Sequence, residues 1–458
     1  MITLCDGWGC FVKSRIDELG VFELLEAFIV DLNGVPRGKW IPVGKAERLA
    51  RDGLPMPRSL FAQDIWGSDV EAAGLAFGTG DPDGACFPVL STVAPAPWAQ
   101  APTAQVLLTM RESDGSGYFI DPRVILQKQI DRFSQRGLIP AAAIELEFYL
   151  IADQEGPPSP VRAAAPGDGA SPRHAGNVLS VDVLADHEPF INEVLSCCRR
   201  QSLDVESILH ENSPGQFEIT LSYDTDACIA ADNAVIFKRL VKKIARRHGL
   251  RACFMAKPFG DLAGSGMHAH LSLFDERGRP VFADDDGVPT ALFHHALGGL
   301  LNHMPEAMLL FAPNANSYRR FRPDSHAPMR AGWGWGDRSA ALRAIEGTPT
   351  QVRIEHRVAG ADANPYLVLA AVLAAAFEGI ERQIDPGEPQ DTGASLSQGS
   401  PLPLDWRSAI ELFERSEFVE QAFGADVRDV ISACKWQDYH GMLALVPNTE
   451  YEAYLETA

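Results

Sequence analysis

The chain has 458 residues, a formal net charge of −21 and 46% hydrophobic residues. This length favours two or more domains, and the acidic balance argues against nucleic-acid and membrane-surface partners, because both attract basic patches. The eight cysteines show no CxxC pair and no zinc-like spacing, so we expect reduced thiols in a cytoplasmic protein. The amino terminus lacks a secretory pattern, and the longest apolar run, residues 366 to 377, is too short to span a bilayer.

Residues 22 to 111 predict short strands and turns. In "AFIVDLNGVPRGKWIPV" a β-rich run precedes a turn at Asn33 and Gly34, and a second run follows it. Residues 1–112 therefore form a candidate small β domain. After "YFIDPR" (118 to 123), helical patterns alternate with strands, which indicates a larger α/β or α+β domain over residues 113–458.

Two helices and two loops are well marked in this second region. In "DNAVIFKRLVKKIARRHG" we predict Asp232 as the N-cap and Gly249 as the end of the helix. Another helix begins at Asn364 and Pro365, where proline fits the first turn. Residues 153 to 176 are rich in proline, alanine and glycine and predict a mobile loop, and a second loop is expected over residues 385 to 403.

The stretch "IELEFYL", residues 144 to 150, alternates apolar and polar side chains as a strand does. Glu145, Glu147 and Tyr149 would share one face of that strand, opposite a core-like face. Taken alone, the pattern favours a solvated acidic face. The alternative interpretation is that adjacent carboxylates are tolerated because cations bind them.

Three further stretches carry candidate side chains: "HENSPGQFEI" (210 to 219), where two glutamates flank a tight turn, and "FMAKPFGDLAGSGMHAHLSL" (254 to 273) and "RIEHRVAGADANPY" (353 to 366), where polar residues alternate as on a strand. The candidate site residues in them are Glu211, Glu218, His268, His270, Arg353, Glu355 and Arg357. Each stretch alone has an ordinary explanation as solvated or ion-paired residues. Together, they could converge in one site.

Carboxylate-rich coordination with one imidazole suits Mg²⁺ or Mn²⁺. Divalent ions beside several arginines are what phosphoryl transfer from a nucleotide requires. Arginines are abundant in "NSYRRFRPDSHAPMRAGWGWGDRSAALR" (316 to 343). The sequence has no GxxxxGK[ST] loop and no kinase-type glycine motif, so a nucleotide would be held in another way.

These blocks, in this order, resemble the glutamine synthetase family over nearly the whole chain. "DLNGVPRGK", "AGSGMH" and "VAGADANPYL" are closer to its γ-glutamylpolyamine (γ-glutamylputrescine) synthetase branch. The resemblance implies an α+β fold with a small β-grasp-like N-terminal domain and a catalytic domain built on a curved antiparallel sheet with helices. It also implies a homo-oligomer, as a hexameric ring or as a dodecamer of two stacked rings, with active sites between subunits.

The resemblance further implies two or three divalent ions per site, with ATP, L-glutamate and a small amine as substrates. Carried over by position, one metal would be held by Glu147, Glu211 and Glu218, and another by Glu145, His268 and Glu355. Arg320, Arg357 and Gly264 would bind glutamate. The residues expected at ATP are Arg343, Arg353, His270 and Ser272, and the catalytic residues are Arg338, His326 and Arg357. The implied reaction activates the γ-carboxylate as an acyl phosphate, which the amine attacks to give a γ-glutamyl amide, ADP and phosphate.

The sequence departs from glutamine synthetases where the ammonium is handled. His326 stands where a flap glutamate is usual, and neutral imidazole offers a base without a fixed negative charge. "MPRSLFAQ" (56 to 63) replaces the ammonium-binding "DGSS" loop. Further departures are Ala263, Asp337 and Thr350. They favour an amine larger than ammonia.

The class of amine stays open at this point. A diamine or polyamine would need a carboxylate for its distal ammonium, for which Asp64 and Asp337 are candidates. A hydrophobic monoamine would need an apolar lining, and the candidates are Trp40, Phe61, Trp66, Trp333 and Trp335. Two other functions remain as alternatives: a glutamine synthetase that uses ammonia, and a non-catalytic relative that binds nucleotide or glutamate as a sensor or structural protein.

Overall fold

A computed structural model describes residues 19–153, 158–161, 178–323, 325–390 and 398–458. Most of the loop predicted over residues 153 to 176, and residues 391–397 of the second loop, lie outside the described residues. Within the described residues, no helix is long and apolar enough to cross a membrane. The cysteines in this part of the chain are free thiols: Cys86, Cys197, Cys198, Cys228, Cys253 and Cys434.

The N-terminal region forms a mixed sheet of six strands. Its elements are β1 (Leu24–Val30), β2 (Pro36–Pro42), helix α1 (Ala46–Asp52), β3 (Leu54–Pro57), β4 (Asp83–Pro88), β5 (Ala94–Pro95) and β6 (Thr103–Arg111). The strand order is β2-β1-β6-β4-β3, with β5 on β6. β1 and β2 are antiparallel and meet at the predicted turn, where Gly34 has a φ of 75°, whereas β1 and β6 are parallel. The expected β-grasp-like arrangement is confirmed.

The larger, C-terminal region is built on an eight-stranded sheet. Its strands are β7 (Leu138–Ala152), β8 (Val205–His210), β9 (Gln216–Leu221), β10 (Leu250–Cys253), β11 (Met267–Asp275), β13 (Trp333–Trp335), β14 (Leu342–Ile345) and β15 (Arg353–His356). The order is β13-β14-β15-β11-β7-β9-β8, with β10 also on β7. These pairs are antiparallel except for β13 with β14. Two short strands, β12 (Arg330–Ala331) and β16 (Ser400–Pro401), pair separately.

Helices cover the sheet and form the rest of the core. They are α2 (Pro122–Ser134), α3 (Val181–Asp186), α4 (Glu188–Arg200), α5 (Ala227–Arg247), α6 (Ala291–Phe311), α7 (Pro365–Arg382), α8 (Trp406–Glu414), α9 (Glu417–Phe423), α10 (Ala425–Leu443) and α11 (Asn448–Tyr454). α7 carries the longest apolar run and is buried along most of its length. α6 and α7 approach so closely that a Cβ on Gly379 would lie 2.1 Å from the carbonyl oxygen of His295.

The start of α5 corrects one prediction. Its N-cap is Asp226, whose side chain accepts a hydrogen bond from the Cys228 backbone N–H. Asp232, which we expected to be the cap, lies inside the helix and is buried against Arg123 and Tyr366. The sequence before Asp232 is alanine-rich and helix-forming, so the helix begins one and a half turns earlier. The predicted start of α7 is confirmed, because Asn364 caps it and Pro365 occupies its first turn.

The N-terminal sheet is tied to the larger, C-terminal region through its β1–β2 turn. Asn364 donates from Nδ2 to the carbonyl oxygen of Asp31 at 2.9 Å, and Lys435 donates from Nζ to Oδ1 of Asn33 at 2.6 Å. These contacts join the turn to the start of α7 and to α10. The boundary between residues 112 and 113 follows β6 directly and stays a prediction.

Candidate active site

The polar residues picked out in the sequence lie on one face of the central sheet. His268 on β11 pairs with Glu145 on β7, and Glu147 pairs with Glu218 on β9. Directly opposed residues in an antiparallel ladder project to the same side, so these side chains share a face. On the other side of β7, Ile144, Leu146, Phe148 and Leu150 are buried. The strand thus has an apolar core face and a polar site face, as its alternation predicted.

Two overlapping groups of carboxylates and imidazole converge on this face. In the first, the possible ligand atoms of Glu145, His268 and Glu355 lie within 4.8 Å of one another. In the second, the possible ligand atoms of Glu147, Glu218 and His268 also lie within 4.8 Å of one another. The first matches one of the metal groups implied by the resemblance. In the second, His268 occurs where we expected Glu211.

Glu211 lies at the edge of this cluster. Its backbone N–H donates to the carbonyl oxygen of Gln216 at 2.9 Å, which closes the turn before β9. Burial raises the pKa of its carboxyl, and the charge of Glu147 adds to the rise, while His268 and Arg338 oppose it. Glu211 is therefore close enough to feel the cluster, and its role as a metal ligand stays a prediction.

His268 and His270 both form hydrogen bonds with the Glu145 carboxylate. His268 Nδ1 lies 3.1 Å from Glu145 Oε2, and His270 Nε2 lies 2.9 Å from Glu145 Oε1. Burial favours protonation of Glu145, but the hydrogen bonds with both rings outweigh it and hold the pKa of that carboxyl well below its usual range. Since Arg353 Nε donates to His270 Nδ1 at 3.3 Å, the proton of a neutral His270 lies on Nε2 and points at Glu145.

The carboxyl group of Glu218 lies among other carboxylates, with few cations nearby to compensate their charge. Burial and the neighbouring carboxylates raise its pKa to about 9. Those carboxylates belong to Glu145, Glu147, Glu211 and Glu355. Several buried carboxylates with few compensating charges form a strongly negative site, which divalent cations neutralise.

Arginines provide part of the compensation around Glu355. Arg343 donates from Nη1 to Glu355 Oε2 at 2.8 Å, and Arg357 donates to the other oxygen. Burial raises the pKa of Glu355, but His268 and Arg357 dominate and lower it to about 2. Arg343 and Arg357 also each have a buried Nε without a hydrogen-bond partner among the described residues. These guanidinium groups are thus close to the carboxylates and retain donor capacity for an anion.

Arg320 and Gly264 are packed against each other. Arg320 is buried and donates from Nη1 to the carbonyl oxygen of Val358 at 2.9 Å. A Cβ on Gly264 would lie 2.7 Å from Cγ of Arg320, so only glycine leaves room for this arginine. Two of the three residues that we predicted to bind glutamate are therefore neighbours.

The remaining predicted residues lie around the cluster. Ser272 continues the polar face of β11 and donates to the carbonyl oxygen of Val352 at 3.1 Å. Arg338 is exposed, and its charge reaches Glu211. His326 is exposed on the segment between Arg320 and β12.

Sequence reasoning missed Gln216 and the backbone of Gly266. Gln216 is buried and donates from Nε2 to the carbonyl oxygen of Gly264 at 2.9 Å and to Glu147 Oε2 at 3.4 Å. The Gly266 N–H donates to the same Glu147 oxygen at 2.8 Å. Together they orient the Glu147 carboxylate. The period of two on β9 would have identified Gln216, because it precedes Glu218 on the same face.

Both carboxylates proposed for a distal ammonium are engaged within the chain. Asp64 is buried, accepts from the backbone N–H groups of Trp66 and Ser68, and accepts from Gln437 Nε2 at 2.9 Å. Asp337 is buried as well and accepts from the backbone N–H of Ser339 at 2.8 Å.

The candidate aromatic residues separate into two groups. Phe61 and Trp333 are buried in the core, and Trp335 stacks on Phe293 with ring centroids 5.6 Å apart. Trp40 and Trp66 are exposed, at 66% and 52%. Trp40 and Trp66 are thus the most exposed of these candidates among the described residues.

The donor set fits a hard divalent cation. Carboxylate oxygens predominate, one imidazole joins them, and no thiol belongs to either group. Oxygen-rich sites of this type prefer Mg²⁺ or Mn²⁺ over Zn²⁺. The raised pKa of Glu218 agrees with this, since a carboxylate held protonated by its neighbours is ionised readily beside a cation.

A family model described as the catalytic domain of glutamine synthetase matches residues 119–454. The chain belongs to the glutamine synthetase family. Its fold class agrees, because a solved structure titled as a GmaS/ADP complex superposes with a TM-score of 0.81 at 27% identity, covering 97% of this chain and 99% of that one. The family and its named relatives are ligases, and the chain is a ligase of this family.

Two relatives of known activity are similar over nearly their whole length. γ-Glutamylputrescine synthetase PuuA of Escherichia coli (strain K12) is 37% identical over 98% of this chain and 94% of its own. Glutamate–isopropylamine ligase of a Pseudomonas species is 34% identical over 93% of this chain and 94% of its own. The branch suggested by the sequence motifs is therefore represented among the relatives, alongside a ligase for a hydrophobic monoamine.

Proposed function

We propose that the chain is an ATP-dependent glutamate–amine ligase that forms a γ-glutamyl amide through a γ-glutamyl phosphate and prefers an organic amine to ammonia. The observation that carries the proposal is the convergence of Glu145, Glu147, Glu218, His268 and Glu355 on one sheet face. Arginines border this acidic centre, which is the arrangement that phosphoryl transfer to a carboxylate requires. The names of the relatives support the same reaction.

Each proposed side-chain role follows from its surroundings. Glu145, His268 and Glu355 would hold one divalent ion and Glu147, Glu211 and Glu218 another, and the bound ions would supply positive charge for ATP phosphates. Arg320 and Arg357 would bind the two carboxylates of glutamate, with Gly264 leaving space for Arg320. Arg338 and Arg343 would face the transferred phosphate, and Arg353, His270 and Ser272 the nucleotide.

The reaction needs two displacements. An oxygen of the glutamate γ-carboxylate attacks the γ-phosphorus of ATP, and ADP leaves. The amine nitrogen then attacks the carbonyl carbon, phosphate leaves, and the nitrogen loses a proton. His326 is the proposed acceptor of that proton, because neutral imidazole is a base near neutral pH. Arg343 and Arg357 would exchange Glu355 for substrate anions as the site fills, which their unpaired Nε groups favour.

Within the organic amines, we propose a monoamine with an uncharged tail. Asp64 and Asp337 already accept hydrogen bonds inside the chain, so less of their acceptor capacity is left for a distal ammonium. Among the exposed aromatic candidates, Trp66 is the ring that would cover an apolar tail instead. The similarity to an isopropylamine ligase supports this class, and the similarity to a putrescine ligase supports its diamine rival.

The proposal includes the ring-shaped homo-oligomer, as a hexamer or dodecamer with active sites between subunits, the division into residues 1–112 and 113–458, and a cytoplasmic location. These rest on the resemblance to the family. Sedimentation velocity distinguishes the assemblies, since a monomer has a mass of 49.8 kDa.

The test is phosphate release from ATP with L-glutamate and Mg²⁺ or Mn²⁺. Ammonia, isopropylamine, ethanolamine and putrescine are compared as acceptors. We expect an organic monoamine to give the highest kcat/KM. A preference for ammonia would identify a glutamine synthetase, a preference for putrescine would overturn the monoamine class, and ATP binding without turnover on any acceptor would favour the sensor alternative.

A pair of variants connects turnover with the acidic cluster. Glu145→Gln removes a central carboxylate and keeps a side chain of the same size. We expect kcat to fall by at least about 100-fold, as when a group that stabilises the transition state electrostatically is removed. Glu206→Gln is the matched control, since Glu206 is exposed on β8 of the same sheet outside the cluster. Equal activity in both variants would contradict the proposed site.

A further inference from the structure

A basic groove lies outside the acidic cluster, and its lining contains none of the proposed metal ligands. It is a cavity of about 890 Å³ between helix α5 and the β1–β2 hairpin. Its volume lies in the range of small-molecule sites. Its α5 wall carries Lys238, Lys242, Lys243 and Arg246. We refer to this cavity as the basic groove.

The cations are arranged as a ladder along α5. Lys238, Lys242 and Arg246 are spaced four residues apart, so they follow one stripe of the helix over about 12 Å. Lys238 is half-buried at the inner end and donates from Nζ to the carbonyl oxygen of Ala361 at 2.7 Å. Lys242 and Arg246 are exposed towards the opening of the groove.

These positive charges lack ion-pair partners. Within the described ranges, no carboxylate forms a salt bridge with Lys238, Lys242, Lys243 or Arg246, although the chain has 61 acidic residues against 40 basic ones. Glu26, the acidic residue of the opposite wall, is already paired with Arg239. Asp362 lies near Lys238 without a salt bridge to it; its Oδ2 accepts from Asn314 and Ser317, and its buried Oδ1 has no hydrogen-bond partner among the described residues. In an acidic chain, four basic side chains without a salt bridge in one cavity favour the binding of an anion, and a bound anion in turn favours the charged form of Lys238.

The rest of the lining combines polar residues with an aromatic surface. The Nζ atoms of Lys238 and Lys242 each lie 5.5 Å from the centre of the Phe254 ring. The opposite wall presents Phe28 and Trp40, and the Trp40 side chain is 66% exposed. A ligand between these walls would meet charge on one side and aromatic surface on the other.

We propose that the basic groove binds an organic anion with a phosphate or carboxylate group joined to an aromatic body. The anionic group would lie on Lys238 and Lys242, and the ring would contact Trp40. Charge-assisted hydrogen bonds from the lysines would fix one end, and burial of the ring would supply the apolar contribution. This site is separate from the acidic cluster, which carries charge of the opposite sign.

The test uses the full chain with excess ADP, so that the nucleotide site does not contribute. The probe is 1-naphthyl phosphate, and isothermal titration calorimetry measures its binding. Inorganic phosphate provides the charge without the ring, and 1-naphthol provides the ring without the phosphate. We expect the naphthyl phosphate to bind at least about 10-fold more tightly than either part, because both walls must be engaged.

Variants test whether the naphthyl phosphate binds in the basic groove. The double variant Lys242→Gln, Arg246→Gln changes two exposed residues, so folding is retained, and we expect it to weaken binding by at least about 10-fold. Trp40→Ala should weaken the naphthyl phosphate and leave inorganic phosphate unchanged. Lys128→Gln, an exposed lysine of α2 outside the groove, is the control. Absence of binding, or equal affinity in the double variant and the control, would overturn the proposal.

Discussion

Lys238 makes the stability of the protein depend on pH in a defined direction. Burial lowers the pKa of its amine from 10.5 to about 7, repulsion from Lys242 contributes, and Asp362 opposes the shift. Below pH 7 the lysine is charged in both the folded and the unfolded chain, and the folded chain bears the full cost. Between pH 7 and 10.5 the folded chain has released a proton that the unfolded chain retains, so the free energy of unfolding rises with pH.

The magnitude follows from the width of that interval. Each pH unit well above the folded pKa contributes about 1.4 kcal/mol, and because the amine is only half deprotonated at pH 7, the interval from pH 7 to 9 corresponds to about 2.3 kcal/mol. Lys238 is half-buried, and solvent screening reduces the expected effect to about 2 kcal/mol. Replacing Lys238 by glutamine removes this titration while keeping a side chain that donates hydrogen bonds.

Urea unfolding of the wild type and Lys238→Gln at pH 7 and at pH 9 measures the effect. The difference between the two proteins should shift by about 2 kcal/mol in favour of the wild type on going from pH 7 to 9. Comparing differences removes the titration of thiols and phenols shared by both proteins. Lys128→Gln should show no such shift. An unchanged difference for Lys238→Gln would refute the assigned pKa and its cause.

Three further outcomes are expected. Asp232→Asn should lower the free energy of unfolding by about 3 to 5 kcal/mol in urea titrations, because it leaves Arg123 without its buried partner and weakens the bond from Tyr366; a loss near 1 kcal/mol, typical of an N-cap, would contradict this. Gly264→Ala should displace Arg320 and raise the KM for glutamate by about 10-fold with a smaller change in kcat, and an unchanged KM would exclude that contact. Adding Mg²⁺ or Mn²⁺ to chelator-treated protein should raise the melting temperature by several degrees, and no shift would count against the metal site.

The sequence alone was sufficient to predict which face of strand β7 is polar and which is apolar. Alternation in residues 144 to 150 placed Glu145 and Glu147 on one face, and the structure has that face towards His268 and Glu218. Period-two patterns are reliable here because a slip by one residue would bury both glutamates in the core. The same logic located His268 and Glu355, each on its own strand.

Helix boundaries were less accessible from the sequence. Asp232 has the residue type and local context of an N-cap, and only the tertiary structure gives it Arg123 and Tyr366 as buried partners. The aspartates considered for a distal ammonium show the same limitation. Asp64 is occupied by the backbone of its own turn and by Gln437, a residue 373 positions away.

By itself, the sequence determined which chemical groups the site contains, since strand periodicity, residue type and the order of motifs are properties of the chain. Tertiary structure decided how those groups share their charge: His268 belongs to both carboxylate groups, Arg343 and Arg357 hold Glu355, and the cations of α5 form a separate groove. Electrostatic interactions depend on distance and burial between residues remote in the sequence, and those distances exist only once the strands have paired.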